Sequence, residues 1–380
     1  MTSIKNNTMP FSQKLAYILI CCIAVGFIAF IASEIIIPLI FALLISILLL
    51  PVVQWVELKT KLGRGGASFF ALIFFTAGIV LIIYLVGSQI SNLTNDWPMF
   101  KNQLHTSFSE LQKWVAATFH LNLEKQKAYI SNATSKVLSS GSSVIGSTLL
   151  SVSSILLFIV LTLIYTFFLL LYRSVLLKFL IALVNDESST VVNDVVGSIQ
   201  LVIRKYILGL LLEMLIVASL CWLAFGILGI KYFILLGLIT ALFNIVPYVG
   251  IFTALLLSAL ITFATTGASG HLLLVIITIV LIHLIDSNFL LPFIVGSKVS
   301  INAMVTVIGV VAGEKLWGIP GMFLSVPVIA MIKIICDRIE VLKPWAILLG
   351  HERGEKKFKK FPQRKKKQVA PIEKQNANKN

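Results

Sequence analysis

The sequence predicts an all-α protein that crosses a membrane about eight times, and three observations support this. First, 58% of its residues are hydrophobic and 12% charged, with mean hydropathy +0.98; a soluble domain carries about 25% charged residues. Second, six long apolar runs occur, at Leu15–Ser33, Ile35–Val53, Ala67–Ile90, Ser147–Tyr172, Tyr206–Ile230 and Leu272–Ser297. Each is near or above the ~20 residues a spanning helix needs. Third, two further apolar stretches, 232–263 and 299–335, are broken by Pro and Gly. Their halves, of about 15 to 17 residues, are too short to span.

The first run follows Lys5 and Lys14 and is longer than a secretory signal's apolar region. It therefore reads as a retained first span, so 1–90 holds spans one to three. Residues 91–146 are too polar to cross. Leu93, Trp97, Phe100, Leu104, Phe108, Leu111 and Val115 recur at helical spacing, predicting amphipathic helices outside the membrane. His105 and His120 lie there without companion ligands and read as surface histidines. Residues 147–205 supply a fourth span and an amphipathic helix whose apolar face includes Val192, Val195, Ile199 and Ile203. That face suits a neighbouring helix, the bilayer surface or a second copy of the chain, so a homo-oligomer is one expectation. Cys21, Cys22, Cys221 and Cys336 show no disulfide or metal spacing and read as small buried hydrophobes.

Orientation comes from basic loops. Lys59, Lys61 and Arg64, then Arg173, Lys178, Arg204 and Lys205, then the tail, all face the cytoplasm if the N-terminus does. Between Arg353 and Lys379, 11 Lys or Arg stand against two Glu, giving +9 of the chain's +15. The whole segment 337–380 is expected to be a disordered cytoplasmic tail drawn to anionic lipid rather than to nucleic acid.

Residues 206–336 form a repeat in which an unbroken span precedes a broken one, twice. If the broken elements cross, the repeats are parallel; if they dip in as re-entrant hairpins, the repeats are inverted. Hairpins are preferred, because they place the loop Ala264–His271, free of Lys and Arg, outside and Lys298 inside. Backbone freed by the breaks cannot face lipid, so it is buried in protein or lines a wet cavity. Paired broken segments mark a transport site.

The motifs at these breaks resemble those of a known family. They are Tyr206-Ile-Leu-Gly209-Leu-Leu-Leu-Glu213, Asn244-Ile-Val-Pro247-Tyr248-Val-Gly250, Asp286-Ser-Asn288-Phe-Leu-Leu-Pro292-Phe-Ile-Val-Gly296 and Gly318-Ile-Pro320-Gly321-Met322-Phe-Leu-Ser-Val-Pro327. In order and spacing they resemble the AI-2E (autoinducer-2 exporter) family, also called PerM, of bacterial inner-membrane proteins. Leu210, Asn302 and Glu314 depart from the family pattern, which more often has Gln, Pro and Gly there. The resemblance implies a multi-pass inner-membrane transporter without a cofactor. Some members are named for export of autoinducer-2, and others are associated with sodium/proton exchange.

Glu213 sits eight residues into its span, about 12 Å deep, and Asp286 occupies the other unbroken span with His283 one turn before it. Intramembrane carboxylates are costly and mark functional sites by default. With Glu314 at the second break, they could bind a cation or proton, or pair structurally (Asp286 with Lys298, Glu314 with Lys315). Asn244, Pro247, Tyr248, Gly250, Asn288, Pro292, Gly318, Pro320, Gly321 and Pro327 carry or flank the breaks, where freed backbone and amides could meet a small polar solute. Two functions compete: alternating-access export of a small polar solute, and monovalent cation/proton antiport. An enzyme is not expected, since no H-E-x-x-H, G-x-S-x-G or Walker pattern is present.

Overall fold

The computed structural model describes residues 11–95, 106, 153–184, 189–246, 249–266, 269–290, 293–294 and 301–350. Among them the chain is almost wholly helical, with one isolated bridge between Ile301 and Gly350. The amphipathic helices expected within 91–146 fall outside the described residues, as do the basic clusters beyond residue 350.

Helices α1 (Phe11–Ile31) and α2 (Ser33–Thr60) join at Ala32. A turn with Lys61 left-handed at φ 53° leads into α3 (Arg64–Asn95). Helix α4 (Ser153–Leu171) and α5 (Arg173–Ala182) follow. Small residues let α3 approach α2: Ala67 and Ala71 pack with Leu49, Val53, Val56 and Leu170. Large apolar side chains elsewhere on α1 and α3 point outward, such as Ile23 at 71% and Phe74 at 72% exposure. Such a surface is stable only against lipid or another apolar surface.

The amphipathic segment and the fifth span are one helix, α6 (Ser189–Ile227), of 39 residues with no break at the 205/206 division. It is about 58 Å long, twice the hydrocarbon thickness, so its N-terminal end projects beyond the bilayer, while Ile203 still packs on Leu44 and Ile47 within the α2 span.

From the far end of α6 the chain turns through Gly229 (φ 65°) and Tyr232 (φ 63°) into α7 (Phe233–Phe243). Helix α7 retraces α6: Gly237 lies against Trp222 and Ala218, and Asn244 reaches Glu213. Helix α8 (Val249–Thr266) returns outward, Gly250 pressed against the Phe243 carbonyl, where no side chain fits. Helix α9 (Ser269–Ile285) then descends again. The first broken element is thus a hairpin that dips to the depth of Glu213 and leaves by the side it entered. Consequently α9 runs antiparallel to α6.

The second broken element is also a hairpin. Helix α10 (Ala303–Arg338) is long enough to span by residue count, but Gly318 adopts φ 64°, ψ −142° and folds it in two. Gly313 lies against Gly321, and Gly309 against Ile329 and Ser325, a pairing centred on Trp317. Only glycine lets the arms approach this closely. Asn302, where the family pattern has Pro, caps the first arm by accepting the Met304 N–H at 2.9 Å. The base of the hairpin joins the N-terminal end of α6 through Arg338, which pairs with Asp194 and donates to Ser198. Its tip donates from Trp317 Nε1 to the Ala29 carbonyl at 2.9 Å. The two hairpins therefore enter from opposite ends of α6, the geometry of an inverted repeat.

Three expectations need correction. Cys21 is exposed, whereas Cys221 and Cys336 are buried as expected. The span 272–297 is not an unbroken α-helix: it leaves α geometry at Asp286 and continues as a π turn, Asp286–Leu290. The segment 337–350 is not disordered tail. After α10 it forms a 3₁₀ turn (Glu340–Leu342) and α11 (Lys343–Leu349), with Ala346 buried and the Leu349 carbonyl accepting from Asn302 N–H. Apolar Val341, Trp345 and Ile347 separate this stretch from the polar tail beyond it.

Candidate functional site

Glu213, Asn244 and Asp286 meet although 31 and 42 residues separate Asn244 from its partners. Asn244 lies at the tip of the first hairpin, between α7 and α8. Its Nδ2 donates to Glu213 Oε1 at 3.1 Å and to Asp286 Oδ2 at 3.0 Å. Glu213 is 2% exposed and Asp286 4%. Each has a second carboxyl oxygen, Oε2 and Oδ1, that is buried without a hydrogen-bond partner. In a low-dielectric interior, two carboxyl groups sharing one amide are an incomplete set of acceptors. A proton or a small cation completes them.

The local sequence explains the convergence. Glu213 occupies the buried stripe of α6 with Tyr206, Gly209, Leu210 and Val217. The π turn adds one residue to the helical turn, which re-aims side chains and often marks functional sites. Here it begins at Asp286. His283, Thr240 and Val217 line the same narrow cavity, of ≈ 10 Å³, about the room one water needs.

The other sequence candidates divide clearly. Asn288 is exposed and donates to the Leu284 carbonyl at 2.8 Å, within its own turn. Glu314 pairs with Lys315 at 3.0 Å on the second hairpin. Gly318, Pro320, Gly321 and Pro327 shape that hairpin, which packs on α2 and α6 through Leu324 and Val326. Gly250 closes the first hairpin. Pro247, Tyr248, Pro292 and Lys298 lie outside the described residues.

Sequence reasoning missed Thr240. It stands one helical turn before Asn244 on the same face, and spacing from a known site residue is the signal that finds it.

Helices of membrane length closed around a buried acidic cluster, with paired hairpins, define a polytopic membrane transport protein. The chain belongs to the AI-2E family transporters, whose family model matches residues 18–340. YrrI of Bacillus subtilis (strain 168), a candidate transport protein by name, is 28% identical over 320 residues, covering 80% of this chain and 86% of the relative. PerM of Escherichia coli (strain K12), a candidate permease by name, is 26% identical over 335 residues, 86% of this chain and 93% of PerM. TqsA of the same strain, named as an AI-2 transport protein, is 24% identical over 325 residues, 84% of this chain and 90% of TqsA.

Proposed function

We propose that this chain is a secondary transporter that exports a small polar solute of the autoinducer-2 kind across the bacterial inner membrane. The observation that carries the reading is the single Asn244 amide bridging Glu213 and Asp286. Two spans supply the acids and a hairpin tip supplies the bridge, so moving the hairpin makes or breaks the contact. A solute with hydroxyl groups that replaces the amide donates to the same oxygens. Its arrival frees the hairpin and couples occupancy to rocking between inward- and outward-open forms. Proton or cation binding by the carboxyl groups supplies the electrical balance.

The unpartnered Glu213 Oε2 and Asp286 Oδ1 favour a second reading, monovalent cation/proton exchange at the same trio. Proteoliposomes distinguish the two. Solute counterflow that is independent of Na⁺, and falls about tenfold or more in Asp286→Asn and Glu213→Gln, supports export. Proton release on adding Na⁺ without any solute flux, lost in the same variants, replaces it with exchange.

A further inference from the structure

Nearer the N-terminal end of α6 lies a much larger cavity of ≈ 600 Å³, within the range that holds small ligands. It is bounded by α2, α4, α5, α6 and Met331 of α10. Its lining is mostly apolar, with Leu50, Leu170 and Leu177 among it, and includes the polar side chains of Gln54, Arg173 and Gln200. Gln200 lies 13 residues before Glu213 on α6, about 20 Å along the helix axis, so this space is separate from the acidic trio.

Two features point to its ligand. Arg173 Nη2 donates to both Glu57 oxygens at 2.8 and 3.0 Å, but Nη1 is buried without a partner. A buried guanidinium nitrogen in that state lacks an acceptor. The outer wall is α5, which buries none of its own residues and leaves Phe179 58% exposed at the mouth. An apolar mouth opens to hydrocarbon rather than to water. Arg64 donates to Ser174 of the lining at 3.1 Å, and exposed Lys59 and Lys61 stand in the turn just before it. Basic pockets between spanning helices on the cytoplasmic side suit anionic head groups.

We infer that this cavity holds one anionic phospholipid of the leaflet bordered by Lys59, Lys61 and Arg64, its acyl chain along the leucine lining and its phosphate on Arg173. The test reconstitutes the full chain in vesicles of equal parts phosphatidylcholine and phosphatidylglycerol. It is then extracted in mild detergent, and retained lipid is counted by native mass spectrometry. One phosphatidylglycerol per chain is expected, retained in preference to phosphatidylcholine. Retention falls about tenfold in Arg173→Gln. It also falls in Leu177→Trp, which narrows the apolar part of the cavity and leaves the Glu57–Arg173 pair intact; if Arg173→Gln fails to insert, Leu177→Trp decides alone. Equal retention of both lipids, or undiminished retention in Leu177→Trp, overturns the inference. So does thermal stabilisation by inorganic phosphate as large as that by phosphatidylglycerol, or a Phe179→Cys cross-link that seats a second copy of the chain over the mouth.

Discussion

Asn244 gives its amide to two acids that would otherwise face each other in a nearly dry interior. An ionised carboxyl group is an acceptor only, so two of them cannot satisfy one another without a donor between. Asn244→Ala removes that donor and leaves both groups short of a partner. The expected cost is about 3 kcal/mol of stability, read as a lower thermal midpoint in detergent, together with lost counterflow. A variant with the parental midpoint and full flux would show that the amide bridges nothing of consequence. His283, half-buried beside Asp286, is one turn from the acid and not a hydrogen-bond partner of the bridge. His283→Gln is therefore expected to alter flux by less than Asp286→Asn does.

Among the elements, the two hairpins solve one problem with different chemistry. The first ends its inward arm at Asn244, and Gly250 on the returning arm admits the Phe243 carbonyl. The second turns at Gly318, whose φ of 64° and ψ of −142° are almost closed to a side chain. Gly318→Ala is expected to cost about 1–3 kcal/mol. Gly313→Val adds bulk where the arms touch backbone to backbone at Gly321 and should cost at least as much. Thermal unfolding of the two purified variants checks both, and parental midpoints would mean that the arms are not held this close. Asn244 at the first tip reaches two buried acids, whereas Glu314 and Lys315 near the second tip pair with each other at the surface. In the function proposed above the first hairpin does the binding, and the second is tied to α1 by Trp317.

At the scale of the whole molecule, hairpins entering from opposite ends of α6 set the topology. In a cysteine-free background, Gly270→Cys is expected to react only with reagent added outside the cell. Val341→Cys, 84% exposed near the base of the second hairpin, should react only from the cytoplasm. Labelling of both from one side would contradict the inverted arrangement.

Composition alone determined the membrane class, because no water-soluble core could absorb so much apolar surface. The breaks at Asn244–Gly250 and Gly318–Gly321 were legible too, since proline and glycine act through local backbone chemistry. Glu213 and Asp286 stood out for their expense in lipid. The tertiary structure decided what local chemistry cannot: that Asn244 links those acids while Glu314 and Asn288 find partners nearby, that α6 runs on past residue 205, and that a π turn sets the aim of Asp286. Those outcomes depend on which helices lie side by side, a matter of contacts between residues far apart in the chain, and spacing along one strand of sequence carries no record of them.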